Sequence, residues 1–401
     1  MEKNIRIDTF NKTKLTRKYV KTYLHEIILN NYRNFLTLNC SFNKSIILLL
    51  GPNGSGKTNI LESISLLSGG KGLRGEVKTN IIRLHENSNN TDILNTKEDI
   101  NQSWSCDYVI SSNIGKARIN FNFNNIKTKN KQSIYFNDKK ISSKELNSII
   151  KVIWLTPQMN DLFITSRTER KKFFERLIYN INSEYLNLFN QYNFLLKERI
   201  NILLDNKFSS QMNIEGIIGK LEKDIAICSL RIQNILENFI SLINSKLDSL
   251  KNDLPIAIIK LSNLPIENTI DDEYIKSYTH MLENNRLNDL KSKRSNFGIH
   301  KIDFLVKHER KNIAAKLCST GQQKSMLISI IIAISEIIKD KHNTIPIFLF
   351  DEIFVHLDSY HIEYLTNYII NSELQTFISS ITTDNIAKIA DMAQKVNLEN
   401  F

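Results

Sequence analysis

Gly51-Pro52-Asn53-Gly54-Ser55-Gly56-Lys57-Thr58-Asn59 contains G-x-x-x-x-G-K-T, a spacing suited to holding phosphate. Its glycines let successive backbone N–H groups face a triphosphate, and a helix starting near Lys57 adds its positive end. Lys57 is expected to reach the β- and γ-phosphates, and Thr58 to offer a hydroxyl to Mg²⁺. The context is the required one. The apolar run Ile46–Leu50 precedes the loop, and Ile60, Leu61, Ile64 and Leu67 follow at helical spacing. A second apolar run, Ile345–Phe350, ends in Asp351-Glu352. An acidic pair leaving a buried parallel strand suits hydrolysis, with Asp351 holding Mg²⁺ through water and Glu352 acting as general base.

Three further groups are candidates. Ser319-Thr320-Gly321-Gln322-Gln323 stands before the apolar stretch Ser325–Ile338. Alone, it reads equally as an ordinary N-cap or as a hydroxyl and free N–H groups offered to an anion. Gln158 begins the loop after Lys151–Leu155, where an amide can sense metal and attacking water or simply be solvated. Asp358 follows Leu357 in a short loop suited to packing across a nucleotide-dependent interface.

Composition narrows the classes. Of 401 residues only 12 are glycine, and seven of these fall between positions 51 and 75, so the chemistry concentrates there. Lys plus Arg is 53 against 42 acidic residues, a net charge of +11 that points to a polyanionic partner. Cys40, Cys106, Cys228 and Cys318 form no C-x-x-C pair, and the eight histidines form no H-x-x-x-H pair. A disulfide framework or zinc site is therefore not expected. The purely apolar runs Ile46–Leu50 and Ile330–Ile334 fall far short of a bilayer crossing, and no membrane partner is expected. Residues 1–22 read as a basic extension without the apolar stretch of a signal peptide.

These groups need a scaffold. Ala117–Phe123 alternates as half-exposed antiparallel strands do, and the polar, Asn-rich stretch His85–Ser103 reads as a loop or insertion. From Phe174 the period becomes helical. Phe174, Ile178, Ile181, Tyr185, Leu188, Tyr192 and Leu195 form one heptad seam. After a polar break at Asp205–Asn213, Ile214, Ile218, Leu221, Ile225, Cys228, Ile232, Ile235, Phe239 and Leu242 form a second. Two seams about one break predict an antiparallel helical hairpin, an arm of roughly 45 Å at 1.5 Å per residue. Basic groups flank it: Arg167, Arg170, Lys171, Lys172 and Arg176 at the entry, and Lys291, Lys293, Arg294, His300 and Lys301 at the exit. They suit either a phosphate backbone or a solvated helix face. The organisation expected is an extension (1–22), an ATPase head in two parts (23–165 and 291–401) and an arm (166–290).

From about Tyr23 onward the chain resembles the RecF family of SMC/Rad50-like ABC ATPases. The resemblance rests on serial motifs: N-N-Y-R-N-F at Asn30–Phe35, G-P-N-G-S-G-K-T-N, Lys71-Gly72-Leu73-Arg74, T-P-Q-M-N-D-L, R-K-K-F-F-E, L-L-K-E-R-I-N, G-I-H-K-I-D-F and S-T-G-Q-Q-K. It implies an α/β P-loop head with mixed sheet and a short coiled-coil arm. It also implies that Ser319 to Gln323 act in trans on ATP bound by a second copy, so that ATP and Mg²⁺ drive homodimerisation. The implied role is bacterial, cytoplasmic and DNA-directed: binding gapped duplex and single strands and, with RecO and RecR, loading RecA. Departures touch Asp303, which lacks the family's neighbouring acid, Gln158, which follows a proline usually succeeded by an acid, and Glu352, often Asp. The alternative is the same ATPase head serving another partner, in a nuclease, toxin system or transporter.

Overall fold

A computed structural model describes residues 20–75, 78–82, 102–112, 115–126, 129–204, 214–250, 257–267, 270–355, 357–383 and 386–398. The expected extension before residue 20, the Asn-rich stretch 85–101 and the polar break 205–213 lie outside them. The first strand after that stretch begins at Gln102, so Gln102 and Ser103 belong to it and not to a loop.

Five parallel strands carry the head. Their order is Gln394–Asn397, Ile46–Leu50, Gln375–Ser380, Ile347–Asp351 and Val152–Leu155. Both faces of this sheet are covered, which is why its strands are continuous apolar runs. Successive side chains alternate between two cores. Ile46, Leu48, Ile153, Phe348 and Phe350 pack among the helices, while Ile47, Leu49, Val152, Ile347 and Leu349 pack against a second sheet. That second sheet has six antiparallel strands, from Tyr23–Tyr32 to Lys139–Ile141. Parallel and antiparallel strands are thus segregated. Gln394–Asn397 is polar and half-exposed at the sheet edge, and by pairing with Ile46–Leu50 it makes that strand an interior one.

The helix Thr320–His342 is long and apolar enough by composition to cross a membrane, but 83% of that window is buried inside the protein. It is a core helix, and its apolar character follows from packing on nearly every side.

The arm departs from a simple hairpin. The first seam is two helices, Arg167–Ile181 and Glu184–Leu204. Asn182 leaves helical geometry between them, and its side chain accepts the Glu184 N–H at 3.0 Å. The second seam is one 36-residue helix, Ile214–Ser249. Its buried stripe runs Ile225, Ile232, Leu236, Phe239, Ile243 and Leu247, leaving Leu242 39% exposed. A straight helix drifts about 20° per heptad, so the stripe moves off a strict seven-residue repeat. A third helix, Asp271–Ser292, joins the pair. Arg199, fully buried, locks the three together: it donates to Glu222 at 2.8 Å, to Asp289 at 2.6 Å and to the Leu282 carbonyl at 2.7 Å. Arg286 closes on the same Glu222 at 2.6 Å.

The entry cluster is largely structural. Arg170 forks onto Asp303 at 3.1 and 2.6 Å, Arg167 donates to the Lys301 carbonyl and Lys171 to the His300 carbonyl. Asp303 therefore ties the arm's first helix to the small sheet of Ala257–Ser262, Asp303–His308 and Ile313–Ala314. His300 in the exit cluster accepts or donates a bond with Tyr192 at 3.0 Å, and burial holds its imidazole down at about 4.

Candidate nucleotide site

Strand register assembles the site. Ile347–Asp351 lies one strand away from Ile46–Leu50, with Gln375–Ser380 between them, so both carboxyl ends open on the same edge. A helix, Lys57–Ser65, starts at that edge with Gly56 as its left-handed N-cap. A side chain at Gly56 would collide with Phe35 and Asn34, so only glycine lets the Asn30–Phe35 turn close over the loop. Gly51 likewise has φ +154°, and a Cβ there would meet Ser55 Oγ at 2.6 Å.

Thr58 Oγ1 donates to the Asp351 carboxylate at 3.1 and 3.2 Å, uniting motifs 293 residues apart. Asp351 is 8% exposed. Lys57 Nζ donates to the Gly51 and Pro52 carbonyls at 2.6 and 2.8 Å, closing the loop on itself instead of reaching outward. Burial lowers the Lys57 pKa, and Glu352 and Asp351 partly restore it. Ser55 Oγ is buried and has no hydrogen-bond partner among the described residues.

Glu352 sits at φ +49°, a left-handed conformation rare outside glycine. Its N–H donates to Ser379 Oγ at 3.0 Å, and the same hydroxyl donates to Asp351 Oδ1 at 2.5 Å. Ser379 therefore fixes both acids. It pairs with Asp351 in the strand ladder and carries no motif of its own. Glu62 is a second residue without a sequence signal. Buried in the loop's helix, it takes a bidentate bond from Arg33 at 2.8 and 2.6 Å and a longer one from Arg74 at 3.4 Å. Two short motifs, Asn30–Phe35 and Lys71–Arg74, thereby meet on the helix that follows the loop.

Ser319 is the N-cap of Thr320–His342, accepting the Gln322 N–H at 3.4 Å. Gln323 donates to the Cys318 carbonyl at 2.9 Å and is buried, so its side chain supports the turn. Lys324 Nζ reaches the Val355 carbonyl at 2.5 Å and the Glu352 carbonyl at 3.5 Å. This ties the helix to the loop after the acidic pair. Asp358 caps Ser359–Asn371, taking the His361 N–H at 2.9 Å and the His361 ring at 2.7 Å. Gln158 lies exposed on the turn Pro157–Asp161 after Val152–Leu155.

Among the described residues no group of three or more His, Cys, Asp or Glu side chains is placed to hold a metal. One hydroxyl and one carboxylate suit an ion ligated mainly by phosphate oxygens and water, the habit of Mg²⁺.

The RecF/RecN/SMC N terminal domain model matches residues 23–400. The DNA replication and repair protein RecF of Rickettsia prowazekii (strain Madrid E) is 36% identical over 380 residues, 94% of this chain and 99% of that one. RecF of Rickettsia canadensis (strain McKiel) is 34% identical over the same shares. A solved structure of the recombination mediator protein RecF-ATP in the RecFOR pathway has a TM-score of 0.75 at 19% identity, covering 95% of this chain and 99% of that one. A RecF-ATPrS structure gives 0.74 at 20% identity, covering 92% and 95%. Both solved structures share the fold.

Proposed function

This chain belongs to the RecF family, and from that premise we propose that it is an ATP-dependent DNA-binding protein of bacterial recombinational repair. The observation that carries the reading is the contact of Thr58 with Asp351, which brings two distant motifs to one edge and so supports a shared hydrolytic role for them. Gly51 to Asn59 would cradle the ATP phosphates, and Thr58 with Asp351 would hold Mg²⁺, which supplies charge neutralisation at the phosphates. Glu352 would take a proton from the attacking water, and Gln158 would face that water. Lys57 would exchange its two carbonyl partners for phosphate oxygens.

Ser319, Thr320, Gly321 and Gln322 would meet the γ-phosphate held by a second copy, so ATP would close a homodimer and hydrolysis would open it. The exposed Asp358 cap and Leu317 suit that junction, and Lys324 would transmit closure to Glu352 within one chain. The basic net charge supports DNA as the polyanion. In the finer reading the dimer recognises gapped duplex at single-strand junctions and, with RecR and RecO, helps load RecA in the cytoplasm, with slow, DNA-stimulated turnover.

The test is sedimentation of Glu352→Gln with Mg-ATP, with and without gapped duplex, at two salt concentrations. An ATP-dependent dimer that holds DNA less tightly at higher salt is expected. A dimer indifferent to DNA points to a different partner for the same ATPase. A monomer at saturating ATP refutes the shared site.

A further inference from the structure

The small sheet of Ala257–Ser262, Asp303–His308 and Ile313–Ala314 has two unlike faces. Ala257, Ile259, Phe304, Val306 and His308 are buried on one. On the other, Lys260 stands directly across from Leu305, and Lys307 across from Ile258. Lys260, Leu305 and Lys307 are exposed. Lys260 and Lys307 are therefore diagonal neighbours, with backbones about 7–8 Å apart. The face continues into a tight turn, where the Asn312 N–H donates to the Glu309 carbonyl at 3.1 Å and Asn312 is left-handed at φ +49°. Lys311 is exposed in that turn, and Lys316 is exposed on the 3₁₀ turn Ala315–Leu317 that follows. None of these four lysines has a hydrogen-bond or ion-pair partner among the described residues.

Acids are scarce in these segments. Asp303 is buried and taken by Arg170, which leaves Glu309, half-buried in the turn. The outer face of the six-stranded sheet differs. There Arg118 shares a ladder row with Glu26 through Val109, and Lys140 shares one with Asp107 through Tyr135 and Asn120. That face is of mixed sign. The basic turn also leads straight to a candidate site. Ile313–Ala314 runs through Ala315–Leu317 to Ser319, the cap of Thr320–His342. Burial raises the Cys318 thiol pKa and the Lys311 charge opposes it, so Lys311 stands near the residue before Ser319.

We propose that this face holds the phosphate backbone of DNA through Lys260, Lys307, Lys311 and Lys316, and that DNA held there bears on Ser319 through the hairpin. The inference rests on the reading of the chain as an ATP-dependent DNA-binding protein and adds a place and a route to it. Ammonium groups are point charges, and a backbone of phosphates needs cations at intervals along a line. Outward lysines on an extended strand and its turn supply them. An acidic protein partner would need desolvated apolar or aromatic anchors as well, and this face offers lysine stems around Ile258 and Leu305, the latter 45% exposed.

The test uses full-length Glu352→Gln protein with Mg-ATP and a fluorescent gapped duplex, titrated by anisotropy over a range of salt concentrations. Lys307→Gln, Lys311→Gln and Lys316→Gln are combined. Losing three phosphate contacts lowers the slope of log Kd against log salt by about 2–3, at about 0.9 per contact. Lys116→Gln, Arg118→Gln and Lys140→Gln, combined on the six-stranded sheet, change it by less than about 1. With Glu352 in place, the first set leaves ATP turnover without DNA within twofold and removes its stimulation by DNA. An unchanged slope in the first set, or an equal fall in both, overturns the proposal and leaves the DNA-binding reading standing. Absence of DNA binding by the unsubstituted protein overturns both. Turnover that ignores DNA in the unsubstituted chain overturns the route to Ser319. Loss of the ATP-dependent dimer without DNA would assign these lysines to the second copy. Selective loss of poly-L-glutamate binding would assign the face to an acidic protein, and either result overturns the proposal.

Discussion

Ser379→Ala removes one oxygen and two bonds. The hydroxyl donates to Asp351 at 2.5 Å and accepts the Glu352 N–H at 3.0 Å, in a residue 1% exposed. The first bond ends on a carboxylate, and such bonds contribute about 1.5–3 kcal/mol. The second holds Glu352 in a left-handed conformation that carries a local cost of its own. Neither bond touches the phosphate loop, whose closure rests on Lys57 and the glycines. The loss should therefore appear in turnover and not in nucleotide affinity. At about 1.4 kcal/mol per tenfold, ATP hydrolysis falls roughly 10- to 100-fold with KM nearly constant. Ser379→Thr keeps the hydroxyl at the cost of one buried methyl and recovers most of the rate. The assay is steady-state phosphate release over a range of ATP concentrations with gapped duplex present. Turnover of Ser379→Ala within twofold of wild type, or a change confined to KM, would refute the positioning argument.

Three other outcomes are expected. Lys57→Met weakens nucleotide binding on the order of 100-fold, the scale of ~3 kcal/mol for lost charge-assisted bonds, as read by equilibrium titration of a fluorescent ATP analogue. Arg199→Met leaves Asp289 buried without a cation while Glu222 keeps Arg286, destabilising the arm by about 3 kcal/mol. Hydrogen exchange should localise that loss to Glu184–Leu204, Ile214–Ser249 and Asp271–Ser292, and adding Asp289→Leu should recover part of it. Lys324 has its pKa lowered by burial from 10.5 to about 8, with Glu352 opposing. The folded state then binds fewer protons than the unfolded state between about 8 and 10.5, so this group favours folding increasingly as pH rises through that window. Thermal midpoints of wild type minus Lys324→Met should rise from pH 8 to pH 10; a flat difference would show that the lysine is not held in the buried site.

What the sequence alone determined was local. Gly51–Thr58 after an apolar run has one physical use, because glycine spacing sets a backbone shape and Lys-Thr begins the helix that follows it. Ile46–Leu50 and Ile347–Asp351 were readable as buried strands because strands covered on both faces must be apolar throughout. The N-cap at Ser319 was legible for the same reason of local hydrogen bonding. The heptad seams showed helices but not their number. The Asn182 break has no strong local signature, and Asp271–Ser292 is too polar to display an apolar stripe. Charge was the least legible property. Arg167, Arg170, Lys171 and Arg176 read as an exposed run, yet in the fold they meet Asp303, backbone carbonyls and an aromatic stack. Whether a cation is solvated or paired depends on what the fold brings against it, and those partners lie up to 134 residues away. Ser379 and Glu62 were decided by tertiary structure alone, since strand register and helix packing place them and neither is written in nearest-neighbour spacing.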